Sequence, residues 1–201
     1  LYPGNKNLYS SLRDWYNFGQ YLNVEGSILL AHKISRSLCS ILNVSKKVLL
    51  VDLDNTIWGG VIGDDGFNNI KIGQETNEGR IYEDIQKYIL QLNKRGVILG
   101  IVSKNTEKIA KQGFNNLYSI LKWKDFVIKK INWERKSKNI IEISKSLNLG
   151  LDSFVFIDDN PSEREEVKSS LPMITIPNCE EKPEDFITAL NLLDPFNSSI
   201  S

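Results

Sequence analysis

The 201 residues suit one ordinary domain with a short appendage, and their 41% hydrophobic content supports a buried core and excludes a disordered chain. Lys plus Arg and Asp plus Glu number 25 each, so no net charge draws the molecule to nucleic acid or to an anionic membrane. Neither partner is expected. The two cysteines, Cys39 and Cys179, have no metal-ligand spacing, which speaks against a disulfide scaffold and for an intracellular, cytoplasmic chain.

No apolar run approaches the ~20 residues of a membrane span, and no signal peptide is visible. The chain opens on Leu1, which suggests an ordered piece of something longer. Residues 1–26 read as loop with short turns. Ile28, Leu29, Ala31, Ile34, Leu38, Ile41 and Leu42 form a helical stripe over 27–43. VLLV (48–51) is a continuous apolar run, as expected of a strand buried on both faces. Residues 57–77, rich in Gly, Asp and Asn, read as a loop or tight hairpin. Ile81, Ile85, Tyr88, Ile89 and Leu92 give a second helical stripe, closed by Gly96. VILGIV (97–102) is the next strand, and Thr106 can cap the helix after it. FVIK (126–129) reads as a short strand within a basic stretch, 122–138, best taken as a solvated face. A helix through Ile140, Ile141, Ser144 and Leu147 ends near Gly150. FVFI (154–157) is a further buried strand, Asn160-Pro161 starts a helix, MITI (173–176) reads as the last strand, and 183–193 as the last helix.

Strands alternating with helices predict an α/β fold, a doubly wound parallel sheet covered on both faces. Three segments are expected: a loop and helical lead-in over 1–45 packed on the core, a catalytic domain over 46–195, and a tail or linker over 196–201. Ligands of such sheets bind beyond the carboxyl ends of the strands. The residues placed there are Asp52, Asp54, Asn55 and Thr56 after the first strand, Ser103, Lys104 and Asn105 after the second, and Asp158, Asp159 and Asn160 after FVFI. Lys136 precedes a helix between the last two groups. Four acids in one crevice repel one another. Mg²⁺ favours oxygen ligands and shares its shell with phosphate, so the acids with Ser103 and Lys136 describe a metal and phosphate site. A calcium loop of the EF-hand type is excluded, because Ile57 and Gly63 occupy the positions of its glycine and glutamate.

The ordered set of Asp-x-Asp-x-Thr, Ser, Lys and Asp-Asp resembles the four motifs of the haloacid dehalogenase (HAD) superfamily. DLDNTIWGGVIGDDG (52–66), SKN (103–105), NWERKSKNI (132–140) and FVFIDDNPSERE (154–165) are similar to its FkbH-like branch, subfamily IIIC, and the likeness extends to Asp14-Trp15-Tyr16. The resemblance implies a HAD-like Rossmannoid sheet with a short β-hairpin flap and no large cap domain. It implies that Asp52 is a nucleophile forming an aspartyl phosphate and that Asp54 is the acid and base. Asp52, the backbone carbonyl of Asp54, and Asp159 then hold Mg²⁺, with Asp158 nearby, and Thr56, Ser103, Lys104, Asn105 and Lys136 contact phosphate or substrate. It further implies dephosphorylation of 1,3-bisphosphoglycerate and loading of a three-carbon, glyceryl- or lactyl-type unit onto the phosphopantetheine arm of an acyl carrier protein in polyketide biosynthesis. The alternatives are a plain phosphatase acting on a small phosphorylated metabolite and a non-catalytic docking module. Many relatives carry cysteine where this chain has Val102 and Val48, so an acyl-enzyme here would use Cys39 or Cys179, Cys39 being the named candidate, or none forms. His32 reads as structural. Trp58 either walls the substrate pocket or packs the flap. Arg80 and Asn160 are further candidate contacts.

Overall fold

The computed structural model describes residues 12–41, 45–179, 182–193 and 195–196. The chain divides into two compact units, residues 1–44 with 197–201 and residues 45–196. In the first unit, α1 (Leu12–Phe18) forms within the stretch expected to be loop, and α2 is Val24–Ile41. Asn23 Oδ1 accepts from the Gly26 amide at 2.8 Å, the side-chain capping bond that starts a helix. The second unit carries β1 (Val48–Val51), α3 (Ile62–Asp65), α4 (Asn77–Lys94), β2 (Ile98–Ser103), α5 (Glu107–Gly113), β3 (Phe126–Ile131), α6 (Lys136–Leu147), β4 (Phe154–Ile157), α7 (Pro161–Ser170) and α8 (Asp185–Leu193).

The four strands pair in parallel in the order β3-β2-β1-β4, with Val48 beside both Ile98 and Phe154. Strands β1 and β4 are buried on both faces and are apolar throughout, whereas β3, at the sheet edge, carries Lys129 and Lys130 and is only partly buried. Leu49, Val51, Leu99 and Ile101 pack on one side with Ile85 and Ile89 of α4 and Leu190 of α8. Val48, Leu50, Phe154 and Phe156 pack on the other with Ile140 and Ile143 of α6 and Val167 of α7. The α/β doubly wound sheet expected from the pattern is therefore present. From β1 the chain winds outward through β2 to β3, then crosses back to place β4 on the far side of β1. The direction of winding changes at β1, and that switch opens a crevice beyond its carboxyl end, where Asp52 lies.

Two local readings need correction. MITI is not a strand of the sheet: only Thr175 bridges, to Val155. Pro177 follows closely, and proline cannot donate to a ladder. The α6 helix ends near Gly150 as expected, at Asn148, which takes the left-handed conformation itself (φ 51°, ψ 45°). The segment after Asp52 is not a regular hairpin. One antiparallel bridge, Gly59 to Lys71, closes a flap whose tip is the single turn α3. Long-range contacts hold the flap. The Asn116 side chain donates to the Phe67 carbonyl at 2.9 Å. Gln86, fully buried, donates to the Ile57 carbonyl at 2.8 Å and accepts the Leu121 amide at 3.0 Å.

Candidate active site

Four segments meet at the switch point. Asp52 follows β1, Ser103 ends β2, Lys136 is the first residue of α6, and Asp158 and Asp159 follow β4. Lys136 Nζ donates to Asp52 Oδ1 at 2.7 Å and to Asp158 Oδ2 at 2.5 Å. All three side chains are buried, Asp158 completely. Oxygens of Asp52, Asp158 and Asp159 lie within 4.8 Å of one another, a set that can hold a metal ion. One ammonium cannot balance three carboxylates. Lys104, also nearby, is held by Glu163 at 2.5 Å, and the Arg164 guanidinium is spent on backbone carbonyls of the acidic loop. The site carries excess negative charge that a hard divalent cation would neutralise with oxygen ligands.

The electrostatics agree. Burial opposes the charge on Lys136, but Asp52 and Asp158 together outweigh it and hold the ammonium above its ordinary range. Burial, then the charge of Asp52, pushes Asp158 up to about 6 against the pull of Lys136. Asp54 and Asp159 are raised too, burial again being the largest cause. A raised carboxyl pKa means the folded chain binds protons that the unfolded chain has lost. Stability then falls as pH rises from the ordinary value of 3.8 through about 6. In chelator, the melting temperature of the wild type should drop across that window relative to Asp158→Asn. At pH 7, Mg²⁺ should raise the wild type more than the variant. Parallel pH profiles of the two proteins would contradict this electrostatic picture.

The crevice, about 190 Å³, is lined by Asp52, Asp54, Asn55, Ser103, Lys104, Lys136, the Asp158–Asn160 loop and Glu163. It is smaller than the roughly 300–1,000 Å³ of pockets that enclose drug-sized ligands, so it suits the reactive end of a substrate. Asp54 faces it with both carboxylate oxygens already bonded. Oδ1 accepts from Trp58 Nε1 at 2.9 Å and from the Ile62 amide at 3.0 Å. Oδ2 accepts from Asn105 Nδ2 at 3.0 Å. Asn55, at φ 54°, turns the chain off β1 into the flap, and its Oδ1 accepts the Gly60 amide at 2.8 Å.

Several expected contacts fall elsewhere. Thr56 is fully buried and does not line the crevice. Its hydroxyl accepts from the Asp159 amide at 3.1 Å and donates to Asp159 Oδ1 at 3.3 Å, tying the first loop to the last. Asn105 is turned onto Asp54 and lies behind the lining. Trp58 is fully buried, so it packs the base of the flap and does not wall the pocket. Arg80 donates to the Gln74 carbonyl and is absent from the lining. Val48 and Val102 are buried strand residues facing the core. Cys179 is buried, which pushes its thiol up to about 11. Cys39 and His32 fall on α2, and their side chains lie outside the described residues.

Sequence reading missed the residues that brace the acidic loop. Arg164 Nη1 donates to the carbonyls of Asp158 and Asp159, both at 2.7 Å, and Nη2 donates to the Cys179 carbonyl at 3.1 Å. Glu166 Oε1 accepts from the Ser137 hydroxyl at 2.5 Å and Oε2 from its amide at 3.2 Å, joining α7 to the start of α6 beside Lys136. An arginine a turn and a half beyond paired acids was the available signal. Arg164→Met, losing three charge-assisted bonds, should weaken Mg²⁺ binding measured by calorimetry at least about tenfold and lower the melting temperature. Unchanged affinity would remove Arg164 from that role.

The family model of haloacid dehalogenase-like hydrolases matches residues 63–170, more than half of the chain. This chain belongs to the haloacid dehalogenase-like hydrolases. The matched HAD segment includes Ser103, Lys136, Asp158 and Asp159 and begins after Asp52. Among solved structures, the N-terminal part of BF1531 from Bacteroides fragilis, containing a phosphatase domain complexed with Mg, is 36% identical over 98% of this chain, with TM-score 0.86. The chain spans about half of that one, 52%. The HAD domain of the effector Lem4 from Legionella pneumophila, at 18% identity, matches over 76% of this chain and 96% of its own with TM-score 0.53, a likeness of fold. No curated protein matches. The described residues carry no large cap domain, and no described helix is long and apolar enough to cross a membrane.

Proposed function

We propose that this chain is a Mg²⁺-dependent phosphoryl-transfer enzyme in which Asp52 attacks phosphorus. The observation that carries this reading is the buried Lys136 bridging Asp52 and Asp158, beside Asp159, at the switch point of the sheet. Asp52, Asp159 and the backbone carbonyl of Asp54 would hold the ion, with Asp158 beside them. When bound, Mg²⁺ neutralises charge on the acids and on the phosphoryl oxygens. The 36% identical BF1531 domain, solved with Mg, supports that choice of metal. Asp52 forms a bond to phosphorus as the bond to the leaving oxygen breaks, giving an aspartyl phosphate. Asp54 gives its proton to the leaving oxygen, then takes one from the water that attacks the aspartyl phosphate, releasing inorganic phosphate and restoring Asp52. Ser103 and Lys136 orient the phosphoryl group.

For the substrate, the FkbH-like strings support 1,3-bisphosphoglycerate: Asp52 removes its ester phosphate and leaves the acyl phosphate intact, and the pantetheine thiol of an acyl carrier protein then attacks that carbonyl and expels the second phosphate, forming the three-carbon thioester. A crevice without a large cap gives access to a pantetheine arm. One observation favours the plain phosphatase reading instead. Positions 48 and 102 are buried valines, and Cys179 is a buried thiol raised to about 11, so among the described side chains no reactive thiol faces the crevice. The protein incubated with bisphosphoglycerate, Mg²⁺ and carrier protein should add the acyl mass to the carrier's pantetheine arm. Phosphate release with an unmodified carrier would select the phosphatase.

A further inference from the structure

We propose that Trp58 and Asn105 are positioning residues for proton transfer by Asp54, and that Gly113 sets the depth at which Trp58 sits. This rests on the phosphoryl-transfer reading and adds to it the device that aims its acid. Three donors reach the Asp54 carboxylate from two separate elements, the flap and the loop after β2. Rotation of a carboxyl about its last bond is soft and broad when nothing holds it. Here donors on both oxygens fix its plane.

Each donor is itself fixed. Asn105 Oδ1 accepts from the Thr106 amide at 2.7 Å, so its NH₂ must face Asp54. Trp58 is fully buried and meets Phe114 edge-on, with ring centroids 5.4 Å apart and planes at 78°. Behind it, a Cβ added at Gly113 would stand 2.8 Å from Trp58 Cη2 and 2.9 Å from Ile62 Cδ1. Gly113, the last residue of α5, is thus glycine for space. The same two flap residues that it faces, Trp58 and Ile62, donate to Asp54 Oδ1. That oxygen receives two donors and Oδ2 only one, so the transferable proton belongs on the remaining lone pair of Oδ2. Indole N–H is a donor only, which keeps the assignment the same before and after the proton leaves.

The test is leaving-group dependence. The value of kcat/KM covers steps only as far as departure of the leaving group, so the later water attack, common to all substrates, drops out. Alkyl phosphates need a proton on the leaving oxygen, whereas p-nitrophenyl phosphate scarcely does. General acid catalysis is worth about 10²–10⁴-fold in all, so misaiming it in Trp58→Phe or Asn105→Ala should lower kcat/KM for alkyl phosphates roughly 10–100-fold. The loss on p-nitrophenyl phosphate should stay within about threefold, since only the acid is misaimed. Gly113→Ala, which displaces the indole and removes no donor, should show the same bias toward poor leaving groups. In an Asp54→Asn background the Trp58→Phe bias should vanish. Equal losses on both substrate types, or a bias that persists without Asp54, would overturn the proposal. If Trp58→Phe does not fold, Asn105→Ala alone decides by the same criterion. A wild type that releases phosphate from no ester overturns the phosphoryl-transfer reading itself, an outcome distinct from uniform losses in an active enzyme.

Discussion

Asp52→Asn should release phosphate at least about 10³-fold more slowly than the wild type, the scale of loss when a nucleophile acting within a unit is removed. The substitution changes shape hardly at all. It exchanges a carboxylate oxygen for an amide group that does not attack phosphorus. Stability should not suffer, because Lys136 keeps Asp158 at 2.5 Å and the crowd of like charges loses one member. The melting temperature in chelator should therefore hold or rise while activity disappears. Phosphate release and a thermal melt on one preparation measure both. A variant as active as the wild type would sink the nucleophile assignment. A variant that is inactive and unfolded would show that the charge balance around Lys136 has been misjudged.

Lys136→Met should have the largest effect on stability. It removes the ammonium from between Asp52 and Asp158 and leaves two buried carboxylates facing each other. Breaking a buried ion pair from one side costs about 3–5 kcal/mol. Denaturant unfolding in chelator should show a loss on that scale. Part of it should return with Mg²⁺, since a ligand that binds only the folded state stabilises it. Phosphate release should stay down roughly 10²–10³-fold even with Mg²⁺ present, because a preorganised charge aimed at the phosphoryl oxygens is gone. Lys136→Arg should not restore activity, since the planar fork cannot take the place of a compact ammonium at 2.7 Å and 2.5 Å from two acids. Unchanged unfolding free energy in chelator would mean that solvent reaches this pair and screens it.

Three of the four strands were legible because strands buried on both faces must be apolar throughout, and VLLV, ILGIV and FVFI are, while the partly buried edge strand FVIKKI shows only its apolar start. The site was legible because such a sheet can place ligands only beyond its carboxyl ends, and the polar residues immediately after those runs are few. What the sequence hid are choices that tertiary contacts make. MITI has the composition of a strand, but the chain is ordered there by one bridge at Thr175. The Gly- and Asp-rich flap has no periodicity, and its shape is set by distant partners, Asn116 and Gln86. Thr56 and Asn105 have the spacing of substrate contacts. Their side chains instead meet Asp159 and Asp54, because a carboxylate that must hold one orientation needs donors around it. Arg164, apart from its spacing, and Glu166 carry no sequence signal of their partners, because only the fold brings them to the carbonyls of the acidic loop and to Ser137.

Phosphoryl transfer to Asp52 is tested most directly by trapping the covalent species. The wild type and Asp54→Asn, the latter without its base for water attack, would be mixed with Mg²⁺ and a phosphorylated substrate, quenched in acid and digested. Mass analysis would then follow the peptide that contains Asp52. One added phosphoryl group on Asp52, more abundant in Asp54→Asn and removed by hydroxylamine, is the predicted result. Phosphate release by the wild type with Asp52 unmodified in both proteins, or the phosphoryl group on another residue, would contradict it.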